Sequence, residues 1–179
     1  MTTPFPIDTH PNTIKGDPMN STMTLSDLTA YTGLDVFDYL DKEMSIPVVD
    51  GLQAQGDLIV VPAALLPMVG PLADSRPAPV PRTGIELLRS AAGGNPHNLV
   101  AEEGHCTWTS RVRDPRGLAL GIVDTQVIAY LIHPEHGATG IAPGRYVIGR
   151  QQEFDMTVRR MGPPAIADFS ALGARFVAD

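Results

Sequence analysis

Four side chains with ligand chemistry, His97, His133, Glu135 and His136, sit in two short polar turns of an otherwise apolar part of the chain. Neutral imidazole and carboxylate are the usual donors to zinc and iron, and such a site needs three or four of them brought together by the fold. His133, Glu135 and His136 share the elbow His133-Pro134-Glu135-His136, while His97 closes the turn Gly93-Gly94-Asn95-Pro96-His97. If the two turns pack together at one end of the fold, a divalent metal has its donor set, with His105 as a further candidate. On a strand, positions 133 and 135 share one face and 136 points away, so all three reach one ion only if Pro134 bends the chain. The competing reading is structural: His133 and His136 hydrogen-bond the backbone of a tight turn and no cofactor is bound. The spacing favours this second reading, with zinc or iron as the alternative.

Nucleophilic catalysis has less support, and no catalytic residue is assigned. Cys106 is the only cysteine, so no internal disulfide can form. It follows His105 directly, but neighbours on a strand point to opposite faces, and an apolar setting raises a thiol pKa. The chain contains no Gly-x-Ser-x-Gly elbow, phosphate-binding Gly-Lys loop or paired Cys-x-x-Cys. Arg145, Arg150, Arg159 and Arg160 lie close in sequence to Glu153, Asp155 and Asp168, which points to ordinary surface pairing.

Charge narrows the partners. The formal net charge of -7 resides in residues 1–57, where nine acids face Lys15 and Lys42; the remainder balances eleven acids against eleven arginines. No phosphate-neutralising surface is indicated, and an aromatic content of 6% offers little stacking platform, so nucleic acid is a weak candidate. The N-terminus MTTPFPIDTHPN has neither a basic start nor an apolar stretch of signal-peptide length, and no run reaches the ~20 apolar residues of a membrane helix. A cytoplasmic protein without membrane contact is the expectation.

These residues need elements to position them. At 179 residues, 43% hydrophobic and with 17 Gly and 17 Pro, the chain suits one turn-rich domain of mainly β class. Residues 1–45 read as a flexible lead-in followed by a short acidic helical arm. Thr24 to Asp27 supply capping groups, and Leu28, Tyr31, Leu34, Phe37 and Leu40 recur every third position, with a break near Gly33. This arm, over residues 24–43, either lies on the body or docks to a protein partner or sister subunit. Residues 46–179 read as a compact β-barrel or sandwich. Its strands are expected at Leu58–Val61, Ile85–Arg89, Leu99–Glu102, His105–Val112, Leu118–Ile122, Thr125–Ile132 and Arg145–Gln152. A Pro-rich surface loop spans residues 67–84, and Ala165–Phe176 is the candidate for one short terminal helix.

Several separated motifs resemble an uncharacterised family of small bacterial and phage-borne β-proteins. They are Gln55-Gly56-Asp57 with the strand that follows, the turn ending at His97, the elbow His133-Pro134-Glu135-His136, Pro143-Gly144-Arg145-Tyr146, Arg150-Gln151-Gln152-Glu153-Phe154, and Arg175-Phe176-Val177-Ala178-Asp179. The resemblance covers roughly residues 53–179. The family pattern has Gly-His-x-His in its middle turn; Asn95 replaces the first histidine, so this chain keeps only His97 there. No activity transfers with the resemblance. The expectation is a noncatalytic β-domain working through protein contacts, as an accessory or virion-associated component. The alternatives are a small metal-dependent, cupin-like enzyme or metal sensor, and a modest nucleic-acid-binding barrel.

Overall fold

The structure, a computed structural model, describes residues 22–89, 94–154 and 174–176. The expected lead-in over 1–21, turn residues 90–93, and the tail over 155–173 and 177–179 lie outside the described residues.

Helix α1 (Leu25–Thr32) forms where the sequence supplies both ends. The Thr24 hydroxyl accepts the Asp27 N–H at 3.1 Å, and the Asp27 carboxylate accepts the Thr24 N–H at 3.1 Å, a reciprocal capping box. The Thr24 hydroxyl and amide together hold the Asp27 carboxyl below its usual range. Gly33, at φ 75, ends the helix in the left-handed region and donates its N–H to Thr29. The regular spacing of Leu34, Phe37 and Leu40 therefore does not continue the helix. Beyond Gly33, the Val36 and Glu43 amides bond the carboxylates of Asp35 and Asp41, and the Phe37 amide bonds the Pro134 carbonyl. Backbone donors that a helix would use are taken by local turns and by the elbow.

Two sheets carry the body. The first runs in the order β1 (Val48–Val49), β12 (Gly137–Ile141), β11 (Ala129–His133), β7 (Pro96–Val100) and β6 (Ile85–Arg89). The second runs β2 (Gln53–Gln55), β3 (Leu58–Pro62), β13 (Gly144–Arg150), β10 (Ala119–Thr125), β8 (Cys106–Thr109) and β5 (Ala78–Pro79). Small ribbons pair β4 (Gly70–Pro71) with β9 (Val112–Arg113), and β14 (Gln152–Phe154) with β15 (Ala174–Phe176). Among the described residues neither main sheet closes on itself, so the architecture is mainly β and sandwich-like. Residues 174–176, expected within a terminal helix, are strand.

Period-two alternation sorts the faces. Leu58 and Val60 of β3, Ile148 of β13, Leu99 of β7, and Ala129 and Leu131 of β11 meet in one core between the sheets. Tyr130 and Ile132 of β11 and Val100 of β7 point the other way, into a second cluster with Leu25, Leu28, Val36 and Ile46. The outer face of the first sheet is thus covered by α1 and the chain that follows it.

Two expected strands are divided: His105–Val112 splits into β8 and the start of β9, and Thr125–Ile132 splits between β10 and β11. Thr125 closes β10, and its hydroxyl bonds the Val127 carbonyl at 2.7 Å, turning the chain before β11 starts at Ala129. The elbow consequently joins β11 to β12 within the first sheet, while β13, expected as its other flank, lies in the second.

Candidate functional site

At one end of the sandwich, the β11–β12 elbow meets the start of β7 and the β2–β3 turn. His133 is the last residue of β11 and pairs with Gly137, leaving Pro134, Glu135 and His136 as a three-residue connection. Gly137 sits at φ 74, the left-handed position that such a connection requires. His97 belongs to β7 on the same inward face as Leu99, and His133 shares the face of Leu131. Both histidines are therefore buried, at 2% and 1% exposure, whereas His136 is exposed.

The three imidazoles come together. Ring centroids are 4.3 Å apart for His97 and His133, 4.5 Å for His133 and His136, and 6.2 Å for His97 and His136. They form a triangle with His133 at its corner. Gly56, at φ 51 in the β2–β3 turn, lies against it: a Cβ there would stand 3.0 Å from His136 Nε2 and 3.0 Å from His97 Cε1. The neighbouring Gln55 side chain is buried and reaches the carbonyls of Leu131 and Gly137, each at 3.3 Å, tying the second sheet to the elbow.

Backbone groups fix the central ring. The Glu135 amide donates to His133 Nδ1 at 3.2 Å, so Nδ1 carries no proton. His133 Nε2 then holds the proton and donates to the Asn95 carbonyl at 3.1 Å. The Asn95 amide group in turn donates to the Glu135 carboxylate at 2.8 Å. Asn95, which stands where the resemblance has a histidine, thus anchors both the ring and the carboxylate. In this arrangement both nitrogens of His133 serve the backbone.

Sequence reasoning singled out His97, His133, Glu135 and His136, and the fold brings these residues to one place. Among the described residues, no three His, Cys, Asp or Glu side chains form a group able to hold a metal ion. His105 lies in the exposed loop before β8, with Nδ1 3.2 Å from the Glu103 carbonyl. Cys106 is buried in the core, and desolvation pushes its thiol up to about 11 despite a hydrogen bond with Thr125. That setting is the reverse of an activated nucleophile's.

Two features escaped the sequence reading. The elbow carries a cover: the Phe37 amide bonds the Pro134 carbonyl at 2.9 Å and the Tyr39 hydroxyl bonds the Glu135 carbonyl at 3.0 Å. Phe37 and Tyr39 meet edge to face at 5.8 Å, yet remain 43% and 70% exposed. The spacing of Phe37 with Leu34 and Leu40 disguised it as core, and Tyr39 lies outside that series. On the outer face of the second sheet, a groove of about 840 Å³ runs between β3, β13 and the loop after β3, lined by Ile59, Val61, Met68 and Val147 with Arg116 and Arg150 among its polar groups. Its residues come from segments far apart in sequence, which leaves no local signal.

Fold and site together define a two-sheet β-domain with an imidazole cluster at one end. A family model described as a domain of unknown function (DUF8820) matches residues 54–151, and the chain belongs to that family. The match spans Gly56, His97 and the elbow and leaves α1 outside. No curated protein and no solved structure matches the chain. No helix among the described residues is long and apolar enough to cross a membrane.

Proposed function

We propose that this chain is a noncatalytic β-domain that works by protein contact, as an accessory or virion-associated component in a bacterial or phage setting, in the cytoplasm or on the particle. One observation carries this reading: Phe37 and Tyr39 are exposed while their segment is bonded to the elbow at Pro134 and Glu135. Met44 adds a third exposed apolar side chain nearby in sequence. Single exposed apolar residues are ordinary, but an aromatic pair and a methionine on one anchored segment have the composition of an interface centre. Anchoring also lowers the ordering cost of binding. The test is a photo-crosslinking residue at position 39 in producing cells, against a control at exposed Arg76. A discrete adduct, with itself or another protein, is expected from 39 alone. No adduct from 39 overturns the reading.

A second reading rests on the meeting of His97, His133 and His136. Holding zinc or iron would require His97, His136 and Glu135 to move from their present positions into one donor set, with His133 joining only by giving up a backbone bond. Metal analysis of purified protein decides it. Stoichiometric metal that is lost in both His97→Ala and His136→Ala would replace the contact reading with a metal-dependent enzyme or sensor.

A further inference from the structure

We infer that Asp50–Gly51 is a site of spontaneous backbone modification, at which the folded chain closes a succinimide and reopens it as isoaspartate. The site is independent of the contact reading above.

Asp50–Gly51 is the only Asp–Gly step in the chain. Ring closure requires the amide nitrogen of the following residue to reach the aspartate Cγ, and glycine, having no Cβ, hinders that approach least. After every other aspartate the next amide carries a side chain or, as after Asp17 and Asp114, belongs to proline.

Placement leaves the step open. The chain bends at Asp50 and Gly51, between β1 and β2, so neither residue is held in a strand ladder. Asp50 is exposed, and nothing lies within 4 Å of where a Gly51 Cβ would stand. Gly51 is at φ 139, a conformation that residues with side chains rarely adopt. Among the described residues no acceptor takes the Gly51 N–H. The nucleophile is therefore unhindered and unengaged.

Tyr146 supplies a second group. Its hydroxyl, on a ring only 3% exposed, donates to Asp50 Oδ1 at 3.2 Å. When the Gly51 nitrogen adds to Cγ, negative charge builds on that oxygen, and a donor already in place stabilises it.

The step balances without any further reactant. The Gly51 nitrogen gives up its proton and bonds to Cγ, and the protonated Oδ2 leaves as water, closing a five-membered imide. Water then adds to one of the two imide carbonyls. Addition at Cγ restores aspartate; addition at the Asp50 main-chain carbonyl carbon breaks its bond to the Gly51 nitrogen and leaves the chain running through Cβ and Cγ. One water leaves and one returns, so the mass is unchanged.

The consequence reaches the imidazole cluster. Rerouting adds one carbon–carbon bond, about 1.5 Å, to the Asp50-Gly51-Leu52 connection between β1 and β2. β2 carries Gln55, which ties the second sheet to the elbow, and leads to Gly56 against the His97 and His136 rings. The isomer loosens that tether and takes the carboxylate from its place at Tyr146.

Ageing of the full chain tests this. Folded protein is held at mildly acidic pH for several weeks and digested, and its peptides are assayed with an isoaspartyl methyltransferase and by electron-transfer fragmentation, which separates the two isomers at equal mass. Isoaspartate is expected at position 50 ahead of every other aspartate. Asp50→Glu, which would need a larger ring, is expected to abolish the signal, and Tyr146→Phe to slow it severalfold. Asp50→Asn loses ammonia in place of water and is expected to react faster, with a mass change that reads directly. An aged wild type unmodified at Asp50, a label that appears first at another aspartate, or an Asp50→Asn chain that stays unchanged overturns the inference. An unaltered rate in folded Tyr146→Phe overturns the part given to Tyr146.

Discussion

The backbone amide of Glu135 donates to Nδ1 of His133, 3.2 Å away, and so determines which nitrogen of a buried ring carries the proton. With Nε2 bonded to the Asn95 carbonyl, the ring acts as a strut between the elbow and the start of β7. The expected result in ¹⁵N spectra at neutral pH is a His133 protonated at Nε2 and bare at Nδ1; the opposite tautomer would contradict the assignment. His133→Ala strips a partner from both backbone groups and removes a packed ring. The loss of stability is expected at about 3 kcal/mol, measured by urea unfolding.

Gly56 gives a comparison with a built-in control. Gly56 and Gly104 have φ of 51 and 85, so alanine is strained at either, at a backbone cost of about 1 kcal/mol. Around Gly104 there is open space, whereas at Gly56 the added carbon would meet the His97 and His136 rings at 3.0 Å. Gly56→Ala is therefore expected to destabilise by about 1 kcal/mol more than Gly104→Ala and to shift the ring resonances of His97 and His136. Equal losses, with unmoved rings, would show that the glycine answers only to its backbone angle.

Strands with strong apolar runs between turn residues were legible in the sequence. Leu58–Val61 was read within one residue of β3, and Ile85–Arg89 coincides with β6. What escaped is governed by partners far along the chain. β12 reads Gly-Ala-Thr-Gly-Ile, with two glycines and an alanine among its five residues, and Gly140 lets Val48 of β1 approach to 2.8 Å from where its Cβ would be. The break after Thr125 was hidden because Val127 and Ile128 extend the apolar run while a side-chain hydrogen bond turns the chain. His97, His133, Glu135 and His136 stood out by residue type, and their meeting was only a condition on how the two turns pack, since nothing local to β7 or the elbow states it.

The acidic arm offers a sharper test than truncation. Leu28 is fully buried against the first sheet, in one cluster with Val100, Tyr130 and Ile132. Leu28→Ala is expected to cost about 3 kcal/mol in urea unfolding, a core-sized loss. An arm that merely waits for a partner would lose a few tenths. Deleting residues 1–45 would remove this cover and expose Tyr130 and Ile132, so point variants at Phe37 and Tyr39 are the cleaner probes of contact.

Cys106 ties the core to alkaline pH. Burial raises its thiol from 9.0 to about 11, and the nearby Asp124 carboxylate adds to the rise, while Thr125 opposes it. A folded value above the unfolded one means that the folded state holds the proton more tightly. The thiol's contribution to stability is therefore complete below about pH 9 and is lost as pH climbs through about 11. Tyr130 and Tyr146 are also raised by burial and act in the same direction, so the wild type should be compared with Cys106→Ala, whose alkaline limb is expected to be shallower. At pH 8 the folded thiol should resist a disulfide reagent and react at once in urea. Prompt reaction in the folded protein would mean that the core around Cys106 opens on the time scale of the assay.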